Sequence, residues 1–311
     1  MISVDTLKTA LSYINNNPSK AFSGIYHQIG TEINRHIHQT LWDPSGIKVM
    51  DQDWDNLLIL DGCRLDLYQE VRGDVESRRS FGSTSWGFLE RNFQDEKFHD
   101  TIYISANPFA PKLKSDTFYM YDSLLESDQD PDIQTTHPKK MTDAAIANWE
   151  NNRNKRLIVH YMQPHCPFIG QRGRKIHQAG IDNGDNSSHK NKTIWTQLQY
   201  GLNDMDKEAV WEPYRENLKM VLDEAIRLHN AIDGKTVITS DHGNLIGDQI
   251  GPLPVRGYGH PTGLYVSELL QVPWETLPGE RRKITKERPQ ETDSVDDNII
   301  KNRLKQLGYR T

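Results

Sequence analysis

Three short apolar runs constrain this chain more than anything else in it, because each stops at a residue that carries chemistry. Asn56-Leu-Leu-Ile-Leu60 ends at Asp61. Arg156-Leu-Ile-Val-His-Tyr-Met162 leads into Gln163-Pro-His165, and Thr236-Val-Ile-Thr239 ends at Ser240-Asp241-His242-Gly243. Such runs, apolar on both faces, read as strands of a parallel sheet covered by helices. Helical patterns lie between them, at Met141 to Trp149 and at Glu208 to His229, where Tyr214, Leu218, Val221, Ala225 and Leu228 share one face. This alternation predicts an α/β fold with a largely parallel central sheet and helices on both faces. Open sheets of that kind hold ligands beyond the C-terminal ends of their strands, which is where Asp61, His165, Asp241 and His242 fall. A carboxylate and an imidazole on adjacent residues cannot share a strand face, yet in the turn after the strand both can point at one ion. Gly243 permits that turn.

At 311 residues the chain can bury a full core. Its net charge of -6, from 37 basic and 43 acidic residues with no basic block, argues against a nucleic-acid partner. Cys63 and Cys166 lie in unrelated segments, which gives no disulfide framework and fits a reducing compartment. The N-terminus lacks the basic start and apolar core of a signal peptide, and no run reaches the roughly 18 apolar residues of a membrane span. A soluble, cytoplasmic chain without an integral membrane segment is therefore expected. Leu7, Leu11 and Ile14, then Ile25, Ile29, Ile33 and Ile37, recur at helical spacing around a break at Asn16-Asn17-Pro18. Residues 1–50 are accordingly read as an N-terminal extension of two helices, and 51–311 as the main domain. His27, His36 and His38 read as surface or packing residues. Lys112 to Pro138 and Gly170 to Lys192, the latter with His177 and His189, read as polar irregular insertions, and Val295 to Leu307 as a terminal helix.

Ser83, Thr84 and Ser85 stand before an amphipathic segment that turns Trp86, Leu89 and Phe93 inward. One reading makes Ser85 a helix N-cap. The other places a nucleophile at a helix N-terminus, where free N–H groups and the dipole stabilise an anionic phosphoryl or sulfuryl group. His165 is held between Pro164 and Pro167, and His260 between Gly259 and Pro261, so rigid backbone carries both.

Leu58-Ile-Leu-Asp61, Met162-Gln-Pro-His-Cys-Pro-Phe168, Thr239-Ser-Asp-His-Gly243 and Tyr258-Gly-His-Pro261, in that order over roughly residues 54 to 274, resemble the alkaline phosphatase superfamily. Within it the likeness is to the sulfatase-like and phosphoethanolamine/glycerol-phosphate transferase branch. The resemblance implies a three-layer sandwich whose catalytic domain is residues 51–311. It implies that Asp61, Asp241 and His242 bind one divalent metal, with the nucleophile's oxygen completing the sphere. Two carboxylates and an imidazole suit zinc or manganese. A second ion is left open. Thr84 and Ser85 are the leading nucleophiles and Ser83 the third. His165 would contact the ester oxygens or protonate the leaving group, and His260 would face substrate or a second metal. The Cys-x-Pro-Ser-Arg signature of formylglycine sulfatases is absent, which favours a hydroxyl nucleophile. His160 stands near His165 at about the spacing of a two-metal site, but inside a strand it reads as a buried, hydrogen-bonded residue. The implied function is a metal-dependent hydrolase or transferase of phosphate or sulfate esters, acting on a small-molecule or saccharide substrate through a covalent Ser/Thr intermediate. The alternative is a non-catalytic metal- and ligand-binding protein on the same scaffold.

Overall fold

The computed structural model describes residues 18–42, 45–125, 133–180, 193–200, 205–290 and 295–306. Its strands are β1 (Asn56–Leu60), β2 (Glu76–Arg79), β3 (Phe98–Ser105), β4 (Phe118–Ser123), β5 (Arg156–Tyr161), β6 (Thr236–Thr239), β7 (Leu245–Ile250), β8 (Val255–Gly259) and β9 (Gln271–Leu277). Its helices are α1 (Pro18–Leu41), α2 (Leu65–Arg72), α3 (Ser85–Phe93), α4 (Pro138–Asn151), α5 (Ile194–Tyr200), α6 (Lys207–Ala231), α7 (Ser267–Leu270) and α8 (Asp297–Gln306). Seven strands form one sheet in the order β2-β9-β6-β1-β5-β3-β4, and β7 and β8 form a separate hairpin. Every pairing from β6 across to β4 is parallel, while β9 runs antiparallel to both β6 and β2.

The doubly apolar runs follow from helix layers on both sides. Leu58, Leu60, Leu157, Val159 and Ile238 pack with Leu67 of α2, Met141 and Ala145 of α4, and Leu218 and Val221 of α6. Their neighbours Leu57, Ile59, Ile158 and Val237 point the other way, against Phe88, Leu89 and Phe93 of α3 and Leu304 of α8. The expected three-layer α/β arrangement is what the chain adopts, and the three chemistry-bearing runs are its adjacent central strands β6, β1 and β5.

Several elements differ from expectation. The insertion read from Lys112 to Pro138 contains β4, an ordered parallel edge strand in register with β3. The segment after Gly243, for which no strand was expected, forms the β7–β8 hairpin. Of the insertion from Gly170, residues 170–180 are tied down through the buried Gln178, which bonds the backbone of Phe168 and Gly173. The rest, with His189, lies outside the described residues. So does the first of the two expected N-terminal helices. The second is α1, which lies along the hairpin: Asn34 bonds the Ile250 and Leu253 carbonyls, and buried His38 bonds Gly251 O and Tyr265 N–H. Both cysteines are free and buried. No helix among the described residues is long and apolar enough to cross a membrane.

Candidate active site

Because β6, β1 and β5 are parallel neighbours, their C-terminal ends open on one edge of the sheet. Asp61 follows β1, Asp241 and His242 follow β6, and His160 occupies the end of β5, paired with Ile59. Residues 180 positions apart in the chain therefore meet without any long side chain. His242 Nε2 lies 3.5 Å from Asp241 Oδ2 and 3.8 Å from Asp61 Oδ1. His160 Nε2 lies 3.6 Å from Asp241 Oδ2 and 4.0 Å from Asp61 Oδ2.

These spacings are too long for hydrogen bonds. They approach the separation of about 3.3 Å between ligand atoms around a four-coordinate ion with bonds of about 2.0–2.1 Å. His160 Nε2 and Asp241 Oδ2 are both buried without a hydrogen-bond partner, an omission that costs roughly 1–3 kcal/mol per group unless something fills the gap. Asp61, His160 and Asp241 each offer a ligand atom within 4.8 Å of the others. The other atoms of these residues are fixed from behind. Asp241 Oδ1 accepts from the N–H groups of Gly62 and His242. His242 Nδ1 donates to Gly243 O at 2.7 Å, which leaves its Nε2 lone pair facing the acids. His160 Nδ1 bonds the Tyr103 hydroxyl at 2.9 Å. The residues present thus fit a divalent cation with nitrogen and oxygen ligands.

The electrostatics point the same way. Burial, and next the charge of Asp241, push the Asp61 carboxyl well above the ordinary range, against the pull of His160, Ser85 and Asn107. Burial also acts to raise Asp241, but His242, His160 and the Gly62 N–H outweigh it and leave that carboxyl below its ordinary value. Two buried carboxylates so placed hold a proton where a dication would displace it.

The three hydroxyls separate into distinct roles. Ser83 Oγ donates to Pro261 O and accepts from Gly263 N–H, tying the helix start to the loop after β8. Thr84, not Ser85, is the N-cap of α3, its Oγ1 accepting from Gly87 N–H at 3.2 Å. The cap reading of Ser85 is therefore corrected by one residue. Ser85 is the first residue of the helix, and its Oγ lies 3.2 Å from Asp61 Oδ2 and 3.3 Å from His242 Nε2. Of the sequence candidates, Ser85 is the one whose oxygen meets Asp61 and His242. Cys63, one residue further from Asp61 than Gly62, has a thiol pushed far up by burial, which makes it a poor nucleophile.

His165 and His260 form the opposite wall. Their Nε2 atoms are 2.9 Å apart, and the His260 ring lies 4.6 Å from that of His242. His165 Nδ1 is 2.6 Å from Cys166 O. Burial acts to lower the His165 pKa, but the contacts with Cys166 and the more remote Asp241 carry it above the ordinary value. Burial, followed by His242 and His165, holds His260 well below.

Sequence reasoning missed two residues. His160 is the buried, hydrogen-bonded residue expected, but its second nitrogen also faces both acids. Asn107, two residues past β3 and not among the sequence candidates, donates from Nδ2 to Asp61 Oδ2 at 2.7 Å. Its own Oδ1 is fixed by Phe109 N–H. The signal available was positional, since Asn107 stands just past a central strand as Asp61 does.

No protein-family model matches the chain, and no curated protein matches it. Among solved structures it is similar to the C-terminal periplasmic domain of the phosphoethanolamine transferase EptC from Campylobacter jejuni, at 14% identity and a TM-score of 0.46 over 71% of this chain and 78% of that one. It is similar to the zinc complex of the corresponding Escherichia coli domain at 12% identity and 0.45, over 76% of each chain. A Vibrio parahaemolyticus protein of the alkaline phosphatase superfamily is similar at 11% identity and 0.38, over 90% of this chain and 74% of that one.

Proposed function

We propose that the protein is a metal-dependent enzyme that transfers a phosphoryl or sulfuryl group from an ester to Ser85, and from Ser85 to water or a second alcohol. The observation that carries this reading is the position of Ser85 Oγ. It sits at a helix N-terminus, within 3.3 Å of both Asp61 and His242, beside two buried polar atoms that lack partners. A fold needs none of that arrangement for its stability.

Asp61, Asp241 and His242 would hold the ion, with His160 as a further nitrogen ligand in reach. Bound there, a divalent ion such as zinc or manganese lowers the pKa of the serine hydroxyl and offsets charge on the transferred group. Ser85 gives up its hydroxyl proton to solvent, and its Oγ forms the new bond to phosphorus or sulfur while the bond to the departing alcohol oxygen breaks. The N–H groups opening α3 face the anionic oxygens. Asn107, anchored on both ends of its amide, keeps the Asp61 carboxylate oriented. His165, the more basic of the paired imidazoles, supplies the proton to the leaving oxygen, and His260 relays between it and the substrate. In the second half, His165, neutral after the first, takes the proton of the water or acceptor alcohol that attacks from the vacated side, and the bond from phosphorus or sulfur to Ser85 Oγ breaks.

The test is metal analysis of the purified protein followed by turnover of nitrophenyl phosphate, a bis-nitrophenyl phosphodiester and nitrophenyl sulfate. Metal-dependent turnover of one of them, with a phosphorylated or sulfated Ser85 trapped by acid quench and found by mass spectrometry, is the expected result. A metal-loaded protein that turns over none of a broad ester panel would establish the binding-protein alternative instead.

A further inference from the structure

Two of the site's histidines have their outer ring nitrogen against a backbone carbonyl. His242 Nδ1 meets Gly243 O at 2.7 Å, and His165 Nδ1 meets Cys166 O at 2.6 Å. A carbonyl only accepts, so Nδ1 carries the hydrogen in both rings, and Nε2 of the neutral ring presents a lone pair. His160 is built differently. Its Nδ1 partner is the Tyr103 hydroxyl at 2.9 Å, and a hydroxyl can donate or accept. That bond leaves open which nitrogen of His160 carries the hydrogen, although its Nε2 faces both acids.

The surroundings hold this pair in place without choosing between the two forms. β5 runs between β1 and β3, and His160 stands opposite Ile59 on one side and Ser105 on the other. Tyr103 is fully buried, two residues before Ser105 and so on the same face of β3. Its ring is closed in by those of Phe93, Phe118 and Tyr121, with centroids 5.9, 4.9 and 5.7 Å away. The phenol oxygen is therefore fixed, and only its hydrogen is free to turn. Ser105 supplies the second partner that such a turn requires: its hydroxyl interacts with Tyr103, and its Oγ is anchored by the Asn107 N–H at 3.0 Å.

Each form suits one state of the site. Without a cation, a lone pair on Nε2 would face two buried carboxyl groups, whereas an Nε2–H attracts the Asp241 Oδ2 atom 3.6 Å away. Nδ1 is then an acceptor, and Tyr103 donates to it. With a cation between the acids, an Nε2–H would point at positive charge. The hydrogen then belongs on Nδ1, which donates it to the Tyr103 oxygen, while the phenol hydrogen turns to Ser105 Oγ. Nε2 gives one proton to solvent and Nδ1 takes one from it, so the ring is neutral before and after.

We infer that Tyr103 is a positioning residue for the metal centre, whose hydroxyl exchanges donor for acceptor and so lets His160 meet the acids as an N–H without metal and serve as a neutral nitrogen ligand with it. His160 is thereby a conditional ligand beside the fixed His242. The inference rests on the proposed cation between Asp61 and Asp241, and not on the chemistry of Ser85.

The test is nitrogen NMR of the full chain, isotopically labelled at histidine, after chelation and after zinc addition, with His160→Leu assigning the His160 signals. Zinc affinity is measured alongside by chelator competition. The expected result is an Nε2–H form of His160 in the chelated protein and an Nδ1–H form with zinc, while His242 keeps Nδ1–H in both. Tyr103→Phe, which removes one oxygen from the aromatic cluster, should weaken zinc binding roughly 10–100-fold. In a His160→Leu background the same substitution should change affinity by less than about twofold, because the path through the imidazole is gone. Should these variants fold poorly, the two NMR states of the unsubstituted protein decide the matter. A His160 hydrogen that stays on one nitrogen with and without zinc overturns the inference. So does an equal loss from Tyr103→Phe in both backgrounds, which is what lost packing would give. If the unsubstituted protein binds no zinc, the cation between the acids and this inference fall together. Zinc binding with the expected His160 exchange but no ester turnover would leave the inference standing and remove the proposed chemistry.

Discussion

At the scale of single residues, two neighbouring hydroxyls one bond-turn apart are assigned unlike work, and substitution should separate them. Ser85→Ala is expected to abolish turnover and the trapped intermediate while leaving the protein folded, because Ser85 Oγ contributes only long hydrogen bonds to the fold. Thr84→Ala removes the α3 cap, which costs about 0.5–2 kcal/mol of stability, yet activity should survive; urea unfolding and nitrophenyl ester assays together check both. Were Thr84→Ala the dead variant and Ser85→Ala the active one, the assignment would be reversed. His165 gives a pH signature. In the proposed chemistry its protonated form is the donor, and its pKa is raised above the ordinary value, so kcat should be sustained at lower pH and fall as pH rises through the raised value. His165→Gln should erase that alkaline limb and cost on the order of 10²–10⁴ in rate for a poor leaving group, with a smaller loss for nitrophenolate, which departs without a proton. Asp61, Asp241 and His242 were legible before any coordinates because each ends or follows an apolar run. His160 was not, because inside a buried strand an imidazole that ligates and one that packs look alike in sequence. Only the pairing of His160 with Ile59 reveals that it reaches the same edge.

The site's precision depends on how elements pass one another, and two glycines mark passages beside its residues. Gly62, with φ +63°, turns the chain after β1 so that a Cβ there would come 3.1 Å from His165 Cδ2. Gly243 is tighter: its N–H donates to Leu269 O, and a Cβ would lie 2.0 Å from the backbone oxygen of Glu268. Gly243→Ala should therefore push the turn after β6 away from α7 and displace His242. The expected outcome is reduced metal content at saturating zinc and a destabilisation of about 1–3 kcal/mol, read by metal analysis and urea unfolding. Retention of full metal content would show that the turn does not position the histidine. The central strands could be read from the chain because burial on two faces makes them uniformly apolar. Those at the periphery could not. β2 is Glu-Ser-Arg-Arg at the sheet edge, exposed at its first two residues and partly buried at the arginines, and β9 contains Pro273, which its antiparallel neighbours tolerate but which disguises a strand. β4 mixes Tyr121, Asp122 and Ser123 because its outer side lacks a sheet neighbour. The position of α3 was foreseeable from its amphipathic pattern, whereas the one-residue shift of its cap depended on the Ser83 bonds to the loop at Pro261 and Gly263, contacts that no local pattern encodes.

For the molecule as a whole, the same carboxylate pair links metal, pH and stability. With no cation bound, Asp61 has a folded-state pKa raised above its unfolded value, so its contribution to stability is full at low pH and is lost as pH rises through the raised pKa. Asp241 is depressed, so its contribution is present above the unfolded value and disappears only as pH falls through the lowered one. Between those limits the metal-free protein should lose stability on going from mildly acidic to mildly alkaline conditions. A bound dication reverses the trend, because it replaces the proton and binds more tightly as fewer protons compete. Ligand linkage then predicts a stabilisation of about 2.7 kcal/mol when free metal is a hundredfold above its Kd, which for a chain of this size is on the order of 5 °C in Tm. The gain on adding zinc to chelator-treated protein should accordingly be small near about pH 5 and several-fold larger near about pH 8. Thermal unfolding of apo and metal-loaded protein at the two pH values measures it, and Asp241→Asn supplies the control. That variant keeps the shape of the site and removes the charge that helps raise Asp61, so the fall in apo stability from acidic to alkaline pH should be smaller and the gain from metal should shrink. An equal shift with zinc at both pH values would mean that the ion binds elsewhere, and that the two acids at the ends of β1 and β6 are not its ligands.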